Sequence, residues 1–235
     1  MCSSSSRMSR STSHRPHRDV YYHTAMPVSS GPFVSRGGLK LAAAIDAFGL
    51  DVTDKVCADL GCSTGGFTDC LLQRGVTRVY ALDTGYGVLD WTLRNDPRVI
   101  ILERTNAIHF DPATIDAKQS CEVVTIDLGW TRQQYAVPAA LRWLSRANDA
   151  RIVTLIKPQY EASEHERRSG SRHGVLDAED ARRVADDVCA ALPSYGVTVL
   201  ELTASPIRGG ASRGREGNIE FLALLARSAA LSPDQ

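Results

Sequence analysis

Four charged residues stand where charge is costly. Lys40 closes S-R-G-G-L-K, just ahead of an apolar run. Asp127 follows an apolar run in T-I-D-L-G-W, and Lys157 follows another in L-I-K-P-Q-Y-E. Glu220 sits in G-N-I-E-F. A charge in or beside an apolar segment is expensive unless it finds a partner. Two lysines and two carboxylates brought together could orient a hydroxyl, move its proton and stabilise a developing charge. The alternative for each residue taken alone is an ordinary surface charge or a rim salt bridge.

A second group of residues points to a nucleoside. The segment D-L-G-C-S-T-G-G-F-T, Asp59 to Thr68, falls where an apolar run gives way to a helical pattern. Gly61, Gly65 and Gly66 permit a tight turn and a close approach of main chain to a ligand. Ser63 and Thr64 are expected to cap the helix that follows, which Phe67 enters. The spacing is not G-x-G-x-x-G, so a pyrophosphate site is not favoured. The next apolar run ends at Asp83 in Y-A-L-D-T-G-Y-G. An acid about 20 residues beyond such a loop commonly accepts hydrogen bonds from ribose hydroxyls. Asn106, in E-R-T-N-A, ends the third run and could reach the base, or simply shape a turn.

These residues need a frame that gathers them. Strands are expected at Val56–Leu60, Arg78–Leu82, Val99–Leu102, Val123–Ile126, Ile152–Ile156, Val197–Leu202 and Ile219–Leu224. Helices are expected from Gly38 to a stop at Gly49, and over Gly66–Arg74, Gln133–Ser145 and Ala178–Leu192. Strands alternating with helices imply an α/β fold, a mostly parallel sheet with helices on both faces. Such sheets bind ligands at the carboxyl ends of their strands, where the singled-out residues fall.

Composition sets the outer limits. The chain has 235 residues, 43% of them hydrophobic, enough for one domain with a substantial core. Residues 1–25 read as a basic Ser/Arg-rich tail, disordered in expectation, ahead of a domain spanning 26–230. Lys and Arg total 27 and Asp and Glu total 27, so any polyanion site depends on local clustering. The basic clusters are the tail, His165 to His173, and Ile207 to Arg215. Tyr86, Trp130 and Tyr160 could stack a splayed base. The six cysteines include no C-x-x-C pair, so no metal is expected and reduced thiols fit a cytoplasmic protein. No apolar run approaches the roughly 20 residues that cross a bilayer, so no membrane partner is expected.

The sequence resembles the TlyA group of rRNA methyltransferases, relatives of the FtsJ (RrmJ) ribose methyltransferases. V-S-R-G-G-L-K-L-A-A-A-I-D-A-F from Val34 carries the resemblance, with D-L-G-C-S-T-G-G-F-T-D-C-L-L-Q-R-G from Asp59 and V-Y-A-L-D-T-G-Y-G from Val79. V-I-I-L-E-R-T-N-A from Val99, I-K-P-Q-Y-E from Ile156 and E-G-N-I-E-F from Glu216 complete it. The resemblance implies a seven-stranded Rossmann-like methyltransferase fold and S-adenosyl-L-methionine as donor, with Asp127 also near the donor. It implies a K-D-K-E tetrad, which falls on Lys40, Asp127, Lys157 and Glu220, and ribosomal RNA or ribosomal subunits as partner. Three features depart from the family. The short tail stands where an S4 RNA-binding domain is usual, D-V-S-F reads D-L-G-W, and Ala162 to Gly174 diverges.

Under this reading Lys157 activates a ribose 2′-hydroxyl, by taking its proton or stabilising the forming alkoxide. Asp127 and Glu220 orient Lys157, and Lys40 tunes it or positions the acceptor. Competing readings are a methyltransferase acting on a base or protein, and a non-catalytic RNA-binding or ribosome-assembly module. D-L-G-W disfavours the first, lacking an N-P-P-Y-type or cysteine motif, and four charges at strand ends disfavour the second. A dehydrogenase ranks last on its glycine spacing.

Overall fold

The computed structural model describes residues 31–118, 120–163, 175–210 and 216–228. The tail and the stretch from His165 to His173 lie outside the described residues, as does Ile207 to Arg215 beyond Gly210.

Seven strands form one sheet: β1 (Val56–Leu60), β2 (Arg78–Leu82), β3 (Val99–Leu102), β4 (Val123–Ile126), β5 (Arg151–Ile156), β6 (Val197–Ala204) and β7 (Phe221–Arg227). Their order is β3-β2-β1-β4-β5-β7-β6. The pairs among β1 to β5 are parallel, while β7 is antiparallel to both β5 and β6. Among the described residues the α-helices are α1 (Gly37–Ala47), α2 (Gly66–Gln73), α3 (Trp91–Arg94), α4 (Gln133–Trp143), α5 (Pro158–Glu161) and α6 (Ala178–Ala191).

Successive strand residues face opposite sides of the sheet, and both sides are covered. Cys57, Val79, Ala81, Val123 and Val153 pack with Leu41 and Ile45 of α1 and Leu71 of α2. Ala58, Leu60, Leu82, Val124 and Ile126 pack with Val137 and Trp143 of α4 and Val184 of α6. This two-sided burial is why the central strands read as unbroken apolar runs. Asp177 caps α6, its side chain accepting the Asp180 N–H, and α1 stops before Gly49 at φ +56°.

Several boundaries differ from expectation. β7 starts at Phe221, so Glu220 precedes the strand. β6 continues to Ala204. The single-turn helices α3 and α5 were not anticipated. Asp90 caps α3 by accepting the Thr92 N–H, and Pro158 occupies the first turn of α5. The helix α2 is not capped by Ser63 or Thr64. Its N-cap is Gly65, at φ +99° with no side-chain cap. The chain reaches α2 through a left-handed residue, and this geometry carries the Ser63 N–H to Asp83 instead.

Candidate active site

The reversal of strand order between β1 and β4 opens a crevice at their carboxyl ends. Register brings the ends together. Leu60 aligns with Leu82 on one side and Ile126 on the other, so Gly61 lies beside Asp83 and Asp127. Gly61 holds φ +91°, and a Cβ there would fall 2.7 Å from the Asp127 carbonyl oxygen. At the other flank Ile156 aligns with Phe221, so Lys157 and Glu220 stand opposite one another just past the ladder. β7 runs antiparallel, so its first residues, not its last, lie at this edge. That is why the final charge precedes its strand.

A cleft of about 780 Å³ runs along this edge, within the range of small-molecule sites. Gly61, Ser63, Thr64, Gly66, Phe67, Asp83, Asn106, Lys40, Asp127 and Lys157 all border it. Gly65 and Glu220 lie behind its wall, Gly65 buried at the start of α2 and Glu220 packed against the bordering Gly209.

At one end of the cleft the carboxylate of Asp83 is held by two main-chain donors, Ser63 N–H at 2.9 Å and Gly85 N–H at 2.7 Å. The half-buried carboxylate keeps further acceptor capacity toward the cleft. Asn106 uses its side-chain carbonyl to accept the Ile108 N–H at 2.9 Å, so it does shape a turn while still bordering the cleft.

At the other end two ion pairs stand together. Lys157 Nζ lies 2.5 Å from Asp127 Oδ1 and donates to the Leu128 carbonyl at 3.2 Å. Lys40 Nζ lies 2.5 Å from Glu220 Oε2. The side chain of Glu220 is 3% exposed and that of Lys40 12%, so this pair is largely withdrawn from water. Glu220 pairs with Lys40, and Asp127 is the carboxylate on Lys157. Lys40 owes its place to α1, whose approach is tied to α2 where Asp69 accepts the Val34 N–H at 2.8 Å.

Trp130 and Tyr160 stack with centroids 5.5 Å apart at 15°. Trp130 is 73% exposed and borders the cleft at φ +58°, so it is not a core residue. Tyr86 is also exposed, with the Arg104 guanidinium 4.3 Å above its ring. Arg208 borders the cleft and pairs with Glu216 at 3.0 Å.

One participant went unassigned at the sequence level. Asp59 opens the glycine motif and is fully buried, accepting from Thr68 Oγ1 at 2.7 Å and Thr125 Oγ1 at 2.9 Å. It ties β1, α2 and β4 together beneath the loop. Burial raises its carboxyl to about 6 against the two hydroxyl bonds, with the Asp127 charge adding to the rise. The signal was a carboxylate inside an apolar strand, with Thr68 nine positions on.

The model of the FtsJ-like methyltransferase family matches residues 33–224. The chain is 40% identical over 194 residues to YqxC of Bacillus subtilis (strain 168), covering 81% of this chain and 64% of that one. It thus spans just under two thirds of the length of that relative. It is 39% identical over 198 residues to TlyA of Mycobacterium tuberculosis (strain ATCC 25618 / H37Rv), named a 16S/23S rRNA (cytidine-2′-O)-methyltransferase, covering 84% and 70%. A solved structure from Streptococcus thermophilus, described as a candidate hemolysin, superposes with a TM-score of 0.75 at 37% identity, covering 84% and 68%.

Proposed function

The chain belongs to the FtsJ-like methyltransferase family, and from that premise we propose that it transfers a methyl group from S-adenosyl-L-methionine to a ribose 2′-hydroxyl of RNA, with ribosomal RNA as substrate. The observation that carries this reading is the polarity of one cleft. A carboxylate suited to a ribose diol stands at one end, and two lysine–carboxylate pairs stand at the other.

The residues present fit the donor. Asp83, steadied by two N–H groups, offers acceptor oxygens to two ribose hydroxyls. The wall formed by Asn106, Ala107 and Ile108 takes the base, and Gly61 lets main chain approach closely between Asp83 and Asp127. When bound, S-adenosylmethionine supplies a methyl already activated by its sulfonium.

The protein's task is then to place and prepare the acceptor oxygen. As the 2′-oxygen bonds the methyl, its proton would pass to Lys157 Nζ in the uncharged form, and Asp127 would stabilise the ammonium so formed. Asp127 fixes Lys157 from one side and the Leu128 carbonyl from another. Glu220 fixes Lys40, which borders the same space and positions the acceptor. By placing the acceptor oxygen, Lys157 and Lys40 would supply much of the acceleration. A nucleotide whose ribose enters the cleft has its base splayed outward, where the exposed Trp130, stacked on Tyr160, offers it a platform.

Single-turnover methyl transfer to rRNA at saturating donor tests the reading. Lys157→Ala should lose at least about 100-fold in rate, the usual scale of positioned acid–base catalysis, with donor affinity retained. Glu220→Ala should lose less, because it acts through Lys40. Equal rates for wild type and Lys157→Ala would remove Lys157 from the mechanism and favour a base as acceptor.

A further inference from the structure

Arg142 stands on the last turn of α4, away from the two ion pairs, and nothing in the reaction described above uses it. Its guanidinium is spent on one loop. Nη2 donates to the carbonyls of Ala107 at 3.0 Å, Ile108 at 2.8 Å and Phe110 at 3.1 Å, and Nε donates to Phe110 at 3.2 Å. The next residue, Trp143, stacks on Phe110 with centroids 5.9 Å apart at 16°. Within the loop the Asn106 carbonyl accepts the N–H groups of His109 and Phe110, and its side chain accepts that of Ile108. The turn is wound tightly enough that three carbonyls converge on one point. The opposite side of the same turn, through Asn106, Ala107 and Ile108, borders the cleft.

Three carbonyl oxygens gathered in one place repel one another unless a donor binds them all. A forked, planar cation does this; a lysine ammonium, compact and strongly hydrated, does it less well. We propose that Arg142 is a positioning residue for the donor's base. By gathering these carbonyls from behind, it fixes the loop from Asn106 to Phe110 in the shape that receives the adenine ring. This deepens the proposed function and rests on its assignment of the donor. Since Arg142 touches neither the donor nor the acceptor, its loss should be felt in donor binding and not in the methyl transfer of the filled complex.

Calorimetry with S-adenosylhomocysteine and with its 6-oxo (inosine) counterpart, on wild type, Arg142→Lys and Arg142→Gln, tests this. Arg142→Lys should weaken S-adenosylhomocysteine by about tenfold, the scale of one lost charge-assisted hydrogen bond. The wild-type preference for the adenine ligand over the 6-oxo ligand should narrow, while turnover at saturating donor and KM for RNA hold. A purely structural role would lower the melting temperature and leave that preference unchanged. In wild type, S-adenosylhomocysteine should also slow hydrogen exchange at the amides of Ile108 to Phe110, a measurement that needs no variant to fold. Unchanged affinity in folded Arg142→Lys, or unchanged exchange on binding, would overturn the role of Arg142. Wild type that bound no adenosyl compound would instead overturn the donor assignment, and this inference with it.

Discussion

Asp59 shows how much one residue can carry without touching the cleft. Burial raises its carboxyl to about 6, so the folded chain holds that proton more tightly than the unfolded chain does. Its contribution to stability is therefore fullest below about pH 4 and is lost as pH rises through about 6. Asp59→Asn removes this dependence. Urea unfolding of both proteins across the range should show the variant gaining on wild type as pH rises, by on the order of 3 kcal/mol in total, then holding level. A difference independent of pH would mean that the carboxyl titrates as an exposed one does. The residues around it were unevenly legible. Lys40, Asp127, Lys157 and Glu220 announced themselves as charges against apolar sequence. The pairing did not, because which carboxylate meets which lysine depends on α1 crossing to β7, a contact spanning 180 residues. Arg142 gave no signal at all, since its partners are main-chain carbonyls and any sequence supplies those.

At the scale of elements, the loop from β1 to α2 is the most constrained part of the site. Gly61 combines φ +91° with an ideal Cβ position 2.7 Å from a main-chain oxygen, and no side chain can swing away from that contact. Gly61→Ala should cost about 1–3 kcal/mol of stability from backbone strain. It should also weaken donor binding while the fold is still fully populated, because the strand ends of β1 and β4 are pushed apart. Thermal melts paired with calorimetry at a temperature well below the transition check this. Retained affinity would show that the loop tolerates the shift. The strands were readable because each of β1 to β4 is a largely apolar run followed by a polar or glycine residue, and their bounds match the sequence reading. The capping of α2 was not, because Ser63 and Thr64 are good caps wherever they occur, and only the left-handed turn at Gly65 decides against them. The one-turn helices α3 and α5 are too short for any periodicity to register.

For the whole molecule, equal numbers of acidic and basic side chains leave affinity for a polyanion to local clusters. Residues 1–25 carry Arg and His with a single acid, Asp19. Deleting them should leave unfolding and donor binding unchanged, lower RNA affinity, and flatten its dependence on salt as phosphate contacts are lost. Filter binding across a salt series reads this directly, and an unaltered slope would show that the tail plays no part in RNA binding. Among the described residues no helix is long and apolar enough to cross a membrane.

The sheet order gives the site a history as well as a shape. β7 is the last strand among the described residues, yet it lies between β5 and β6. Until β7 is made, β5 has an open edge, β6 has no strand partner in the sheet, and Lys40 lacks Glu220. Unpaired edges of this kind are the places where partly made chains misassociate. β7 covers the open edge of β5 and one edge of β6, and Glu220, the residue just ahead of it, meets Lys40. A chain interrupted before Glu220 would therefore leave those edges open and Lys40 without its carboxylate together, and the cleft has both ion pairs only once β7 has joined the sheet.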